Sequence, residues 1–280
     1  MRRRWRRWKS RIMVGVLVVC AVLSVLPLLV ILSTVVIKGA SSINLGFFTK
    51  LPVPAGESGG GVAHAIVGTL MMVGAACLIG LPIGIGAGIF VAEWPASRLG
   101  KATRFIADVL NGTPSIVVGV FAWTWIVAKQ GHFSGFAGSA ALAVLMVPMV
   151  MRTTEEMIKL VPHSLREAAL ALGYPRWRTS LGIVVRTCMP GIVTGVLLAV
   201  ARIAGETAPL LFTALGSAFL STNLAQPMAA LPLVVYTYAT GPYDDWHRLA
   251  WATALVLILV VLVLSIATRL ATRRRFDAPG

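Results

Sequence analysis

The chain has 280 residues, 57% of them hydrophobic and only 12% charged, with a mean hydropathy of +0.84. Soluble domains carry about 25% charged residues, so half that share combined with long uncharged runs excludes a water-soluble globule and defines an all-α polytopic membrane protein. The formal charge of +15 comes from 25 Lys and Arg against 10 Asp and Glu. Most of the excess sits in two tails, which leaves no basic folded surface for nucleic acid, the other usual partner of so basic a chain.

In chain order, residues 1–11 form a basic tail rich in Arg, and the uncharged stretch Ile12 to Ile37 follows. That stretch exceeds the 7–15 apolar residues of a cleavable signal sequence, so the first span is predicted over 12–37. Pro52 to Gly61 reads as a loop. A second span over 65–92 holds Gly68, Gly74, Gly80, Gly84, Gly86 and Gly88, the composition of a helix packed closely on a neighbour. Pro82 predicts a bend in it. Spans three and four fall over 106–128 and 133–157.

The fifth span is predicted over 187–216. The chain then stays uncharged to Tyr243, too far for one helix, and Pro209, Gly216, Pro227 and Pro232 punctuate it. Irregular backbone at membrane depth must be buried in protein or line a cavity, so 217–248 is read as an external or re-entrant segment. Span six covers 249–268 and a second basic tail covers 269–280, which makes 12–268 one transmembrane domain.

With the N-terminus inside, Arg98, Lys101 and Arg104 fall inside, as do Lys159, Arg166, Arg176, Arg178 and Arg186. Lys38, Lys50, Lys129 and Arg248 fall outside, partly offset by Glu57, Asp244 and Asp245. The positive-inside rule therefore places both termini in the cytoplasm. Asp244 to Arg248, with Trp246, reads as an external interfacial segment.

No cofactor is indicated. Cys20, Cys77 and Cys188 lack paired spacing, and His64, His132, His163 and His247 are dispersed among different loops. No G-x-x-x-x-G-K-[ST] occurs, so the chain has no phosphate-cradling loop of its own to bind ATP.

The loop over 161–183 carries helix punctuation. Ser164 and Glu167 fit a capping box, Gly173 fits the left-handed position that ends a helix, and Pro175 stops its continuation. So short a helix is unstable alone in water and must bury a face against something.

Glu167-Ala168-Ala169, three residues, then Gly173 resembles the E-A-A-x-x-x-G motif of ABC importer permeases, placed before the penultimate span as in that family. The likeness extends from Arg176 to Pro190 and from Ala201 to Ala214, and it is greatest to the phosphate importer permeases. One departure is Arg186, where the general importer pattern has a proline. The resemblance implies a type I ABC importer permease fold in a bacterial cytoplasmic (inner) membrane. It implies that Ser164, Glu167, Ala168, Ala169 and Gly173 form a coupling helix docked on an ATP-hydrolysing subunit. It also implies four kinds of partner: a homologous permease subunit, a dimer of ATP-binding subunits, an extracytoplasmic phosphate-binding protein, and inorganic phosphate as substrate. Gln226-Pro227-Met228 and Leu231-Pro232 share this likeness and suggest an outer gate.

Arg202 and Glu206 lie inside the fifth span, four residues apart, and are expected on one helical face. A charge at mid-membrane costs about 2.5–3.5 kcal/mol on insertion scales, so such residues pair or line a polar path. Guanidinium donors match phosphate oxygens, and Glu206 is placed to compete with an anion for Arg202. Arg152 ends the fourth uncharged stretch, and the family resemblance assigns it to the substrate path as well. The residues alone leave open another oxyanion such as sulfate or molybdate. They also leave open a carrier driven by an ion gradient.

Overall fold

The computed structural model describes residues 2–54, 56–57 and 59–276. The side chains of residues 2–4, 7 and 267–276 lie outside the description, and with them most of the basic tails. Among the described residues the chain is helical, with no strand. Among the described residues five helices are long and apolar enough to cross a membrane, or six if the bent pair over 98–130 counts as one span.

Helix α1 (Arg2–Ala40) is exposed along most of its length and packs only near its end, where a Cβ on Gly39 would lie 2.7 Å from the Trp251 carbonyl oxygen and Lys38 stands over the Trp251 ring. A short helix α2 (Leu45–Thr49), capped by Asn44 through its side-chain oxygen, turns Phe47 into a small cluster with Val62, Ala65 and Leu231.

The core is built on α3 (Ala63–Glu93) and α6 (Gly135–Lys159), which run parallel and touch along their lengths. From Gly80 to Gly88 every fourth residue on the α3 face is Gly. A Cβ on Gly80, Gly84 or Gly88 would come within 3.1 Å of Met146, 2.9 Å of Val150 or 2.6 Å of Thr154, respectively. Small residues thus let the two backbones approach where apolar lipid gives no drive to association. Gly74 and Gly86 face open space and do not share this role. Helix α3 continues unbroken through Pro82.

Between these two, the chain forms α4 (Arg98–Gly112), whose start is capped by the Ser97 hydroxyl, and α5 (Ser115–Gln130). A continuous helix over 106–128 was expected, but the two meet at 105°. Pro114 provides the reason: it holds Thr113 in the extended region at φ −78°, ψ 130°, and it has no N–H to continue the ladder.

After α6 comes α7 (His163–Ala171). It begins one residue before Ser164, with Pro162 at the cap position and no side chain capping it. The expected capping box therefore does not form. Pro162 already sets the entry geometry, so Ser164 is inside the helix and its hydroxyl has no free amide to accept. The other end matches its punctuation: Gly173 takes φ +81°, and the Tyr174 amide reaches back to the Ala169 carbonyl.

Helix α8 (Arg176–Ala204) returns antiparallel to α6, with Gly191 against Met157 and Gly195 against Thr153. It ends earlier than the expected 216, at Gly205, and a short helix α9 (Ala208–Thr213) follows. Residues 214–230 are irregular: Ala214, Met228, Ala229 and Ala230 are buried, while Leu215, Phe219 and Leu220 between them are exposed. The Ser134, Gly135 and Phe136 amides at the start of α6 donate to Thr213, Gln226 and Leu224 carbonyls, and the Leu231 amide donates to the Thr69 hydroxyl at 2.8 Å. Helices α10 (Leu231–Ala239) and α11 (Asp244–Phe276) complete the chain.

Candidate functional site

The two broken helices meet at their breaks. Gly112-Thr113-Pro114 interrupts α4 and α5, and Gly205-Glu206-Thr207 interrupts α8 and α9. Gly119 of α5 sits so close to Pro209 of α9 that a Cβ would lie 2.7 Å from the Pro209 Cα. A cleft of about 180 Å³ opens between the breaks, with Asn111, Thr113 and Ser115 on one side and Arg202 and Glu206 on the other. Its wall is Leu145 and Met149, halfway along α6. Irregular backbone at that depth is tolerated only where protein buries it or a cavity hydrates it.

Arg202 and Glu206 are together in this cleft, though not on one helical face as the spacing suggested. The helix ends at Ala204, and Glu206 lies past it, with its amide donating to the Ile203 carbonyl. Arg202 Nε stands 3.9 Å from Glu206 Oε1, beyond hydrogen-bond reach, and the Arg202 side chain is 66% exposed against 21% for Glu206. The guanidinium is attracted to the carboxylate without being consumed by it, so its donors stay available.

Arg152 does not line the cleft. One turn beyond Met149 on α6, it donates to Asp108 of α4 and, at 3.2 Å, to Glu155. Glu155 is wholly buried and also accepts from Arg104 at 2.6 Å and Lys159 at 2.5 Å. Three cations and two carboxylates thus fasten α4 to α6 beside the cleft. Of the five, the sequence reading singled out only Arg152 as a site residue. Glu155 follows Arg152 by three and precedes Lys159 by four, a spacing that places all three on one face, but nothing in the spacing ties them to Arg104 and Asp108.

At the same end of the bundle, α7 is clamped by a residue that the sequence reading missed. Glu93, the last residue of α3, accepts from Arg166 of α7 at 2.5 Å and from the Ser180 hydroxyl at the start of α8 at 2.8 Å. Ala169 is buried against the bundle, while Ser164, Glu167, Ala168 and Gly173 are exposed. The anchored face and the free face of α7 are therefore distinct. Glu93→Ala is expected to remove hydrogen bonds to a charged group worth about 1.5–3 kcal/mol each. The check is limited proteolysis: cleavage should rise within 163–175 in the variant, and an unchanged pattern would contradict the clamp.

Among the described residues no group of three or more His, Cys, Asp or Glu could hold a metal ion.

A helical bundle with broken spans around a polar cleft, and an anchored amphipathic helix at one end, is the architecture of a membrane permease. Residues 84–277 match the family described as binding-protein-dependent transport system inner membrane component, and the chain belongs to that family. It resembles the phosphate transport system permease protein PstA of Yersinia pestis, 49% identical over 266 residues that cover 95% of this chain and 90% of that protein. The protein of the same name from Haemophilus influenzae is 47% identical, covering 95% and 94%. A probable phosphate transport system permease protein PstA of Methanocaldococcus jannaschii is 37% identical, covering 96% and 95%.

Among solved structures, a chain of the bacterial alginate ABC transporter superposes with a TM-score of 0.66 at 15% identity, covering 99% of each chain. One of the inward-facing MetNI methionine ABC transporter gives 0.65 at 19% identity, covering 76% of this chain and 95% of that one. The fold is thus that of type I ABC importer permeases. The protein is a multi-pass, non-catalytic permease subunit of the inner membrane, working with a separate ATPase and a substrate-binding protein.

Proposed function

We propose that this chain forms half of the translocation path of an ATP-driven importer of inorganic phosphate. The observation that carries the substrate is the likeness, over nearly the whole of both chains, to permeases named for phosphate transport. The cleft supplies a means: a permanently charged, planar set of donors suits an anion with several equivalent oxygens.

The partners in this reading are a homologous permease subunit that contributes the other half of the path, a dimer of ATP-binding subunits, and an extracytoplasmic phosphate-binding protein. Both termini lie in the cytoplasm, as the basic residues bordering the spans favour, so α7 faces the ATPase. Ser164, Glu167, Ala168 and Gly173 present the docking surface, and Ala169 holds it to the bundle. Domain closure of the ATPase then pulls on α7, and the Glu93 clamp passes the movement to α3 and α8 together. Arg152 contributes to the path indirectly, by setting the position of α4 next to the cleft.

Glu206 keeps passage transient. In the empty state it attracts Arg202, and phosphate must compete for the same guanidinium, which limits how tightly the ion is held. Glu206→Gln removes the competitor and is expected to slow release, so that phosphate transported per ATP falls about tenfold, the equivalent of 1.4 kcal/mol. An unchanged ratio would remove Glu206 from the mechanism.

Uptake of labelled phosphate through the assembled importer, challenged with excess sulfate or molybdate, tests the substrate. Uptake that requires the ATPase and resists both competitors is expected. Strong competition would reassign the importer to another oxyanion, and uptake that persists without the ATPase would make it an ion-gradient carrier.

A further inference from the structure

The cleft holds one guanidinium, yet an anion leaving water at mid-membrane presents more oxygens than one planar fork can satisfy. The second arginine of the region, Arg152, does not line the cleft and is bound to Asp108 and Glu155. The Lys159 and Arg104 ammonium and guanidinium groups are likewise directed at Glu155. The donors that this chain itself sets across the cleft from Arg202 are neutral.

Two such groups do. The Asn111 amide and the Ser115 hydroxyl line the opposite wall, and neither side chain has a hydrogen-bond partner among the described residues. By contrast, the Thr113 hydroxyl between them donates to the Val109 carbonyl at 2.8 Å. Asn offers two N–H donors and Ser one O–H. Asn111 stands in the last turn of α4, exposed and beside Gly112, which has open space around it. Neutral donors also suit transport: each holds an anion less strongly than a charged group does, so the ion is solvated without being trapped.

We propose that Asn111 and Ser115 are the neutral half of a tetrahedral-oxyanion site whose charged half is Arg202. The site rests on the reading of the protein as a phosphate permease and assigns the break between α4 and α5 as a substrate-contacting element. Substrate crosses between the two helix breaks, touched by Arg202 from one and by Asn111 and Ser115 from the other.

The test uses the complete importer, with its partner permease, ATPase and binding protein, in proteoliposomes supplied with radiolabelled inorganic phosphate and ATP. Phosphate moved per ATP hydrolysed is compared for wild type, Asn111→Ala, Ser115→Ala, the double variant and Asn111→Asp. Each alanine variant is expected to lower the ratio about threefold to tenfold, and the double variant further. Asn111→Asp, which keeps the shape of Asn and so retains the fold, is expected to lower the ratio more than Asn111→Ala because it sets a negative charge opposite the anion. Ratios equal to wild type in all four variants would overturn the proposal. So would losses that track a fall in thermal unfolding temperature, or an Asp variant as active as wild type. A wild-type importer that hydrolyses ATP but moves no phosphate would instead overturn the reading of the substrate on which the site depends.

Discussion

Replacing Glu155 with Ala is expected to destabilise the protein by about 3–5 kcal/mol, the cost of breaking a buried ion pair and leaving its partners uncompensated. The side chain is wholly buried, and Arg104, Arg152 and Lys159 all converge on it. Without the carboxylate, three cations face one another across the α4–α6 contact with only Asp108 to offset them. Glu155→Gln keeps the volume and one acceptor, and a smaller loss is expected. Thermal unfolding of the purified chain in detergent separates the cases: the Ala variant should unfold well below the Gln variant, and the Gln variant below wild type. Equal unfolding temperatures would mean that the cluster carries no net stability.

Replacing Arg202 with Gln is expected to have the largest effect on transport. Arg202 is the cation that lines the cleft, and its Glu206 partner stands too far away to hold it by a hydrogen bond. Losing a hydrogen bond to a charged group costs about 1.5–3 kcal/mol, so the rate should fall about tenfold to a hundredfold. Arg202→Lys keeps the charge and loses the planar fork, so it should retain part of the rate. Initial rates in proteoliposomes order the three forms, and a Lys variant no better than Gln would show that geometry, rather than charge, governs passage.

The membrane-spanning character of the chain was legible from its uncharged runs, and the Gly stripe of α3 from its composition. The family was legible from Glu167-Ala168-Ala169 and Gly173. Boundaries were less so. Pro209, Gly216, Pro227 and Pro232 put the end of the fifth span near 216, past the break at Gly205-Glu206-Thr207, while Gly112-Thr113-Pro114 carries the same chemistry inside a stretch apolar enough to read as one helix. The capping box failed because Pro162, two residues earlier, starts α7 first.

The site was half visible. Arg202 and Glu206 stand out because charges in an apolar run have few explanations. Asn111 and Ser115 do not stand out, since neutral polar residues are common in spans and their meaning comes from facing Arg202 about 90 positions away. Glu93 was hidden for the same reason: its partners Arg166 and Ser180 lie 73 and 87 residues along the chain. Contacts at that separation leave no periodic trace.

An ATP-coupled phosphate path through Arg202 makes uptake depend on that one guanidinium. The test is labelled-phosphate uptake in cells lacking this gene, restored with wild type or Arg202→Gln at matched membrane abundance and with the partner ATPase present. Restoration by wild type alone is expected. Equal restoration by both forms would contradict the claim and reduce Arg202 to a packing residue.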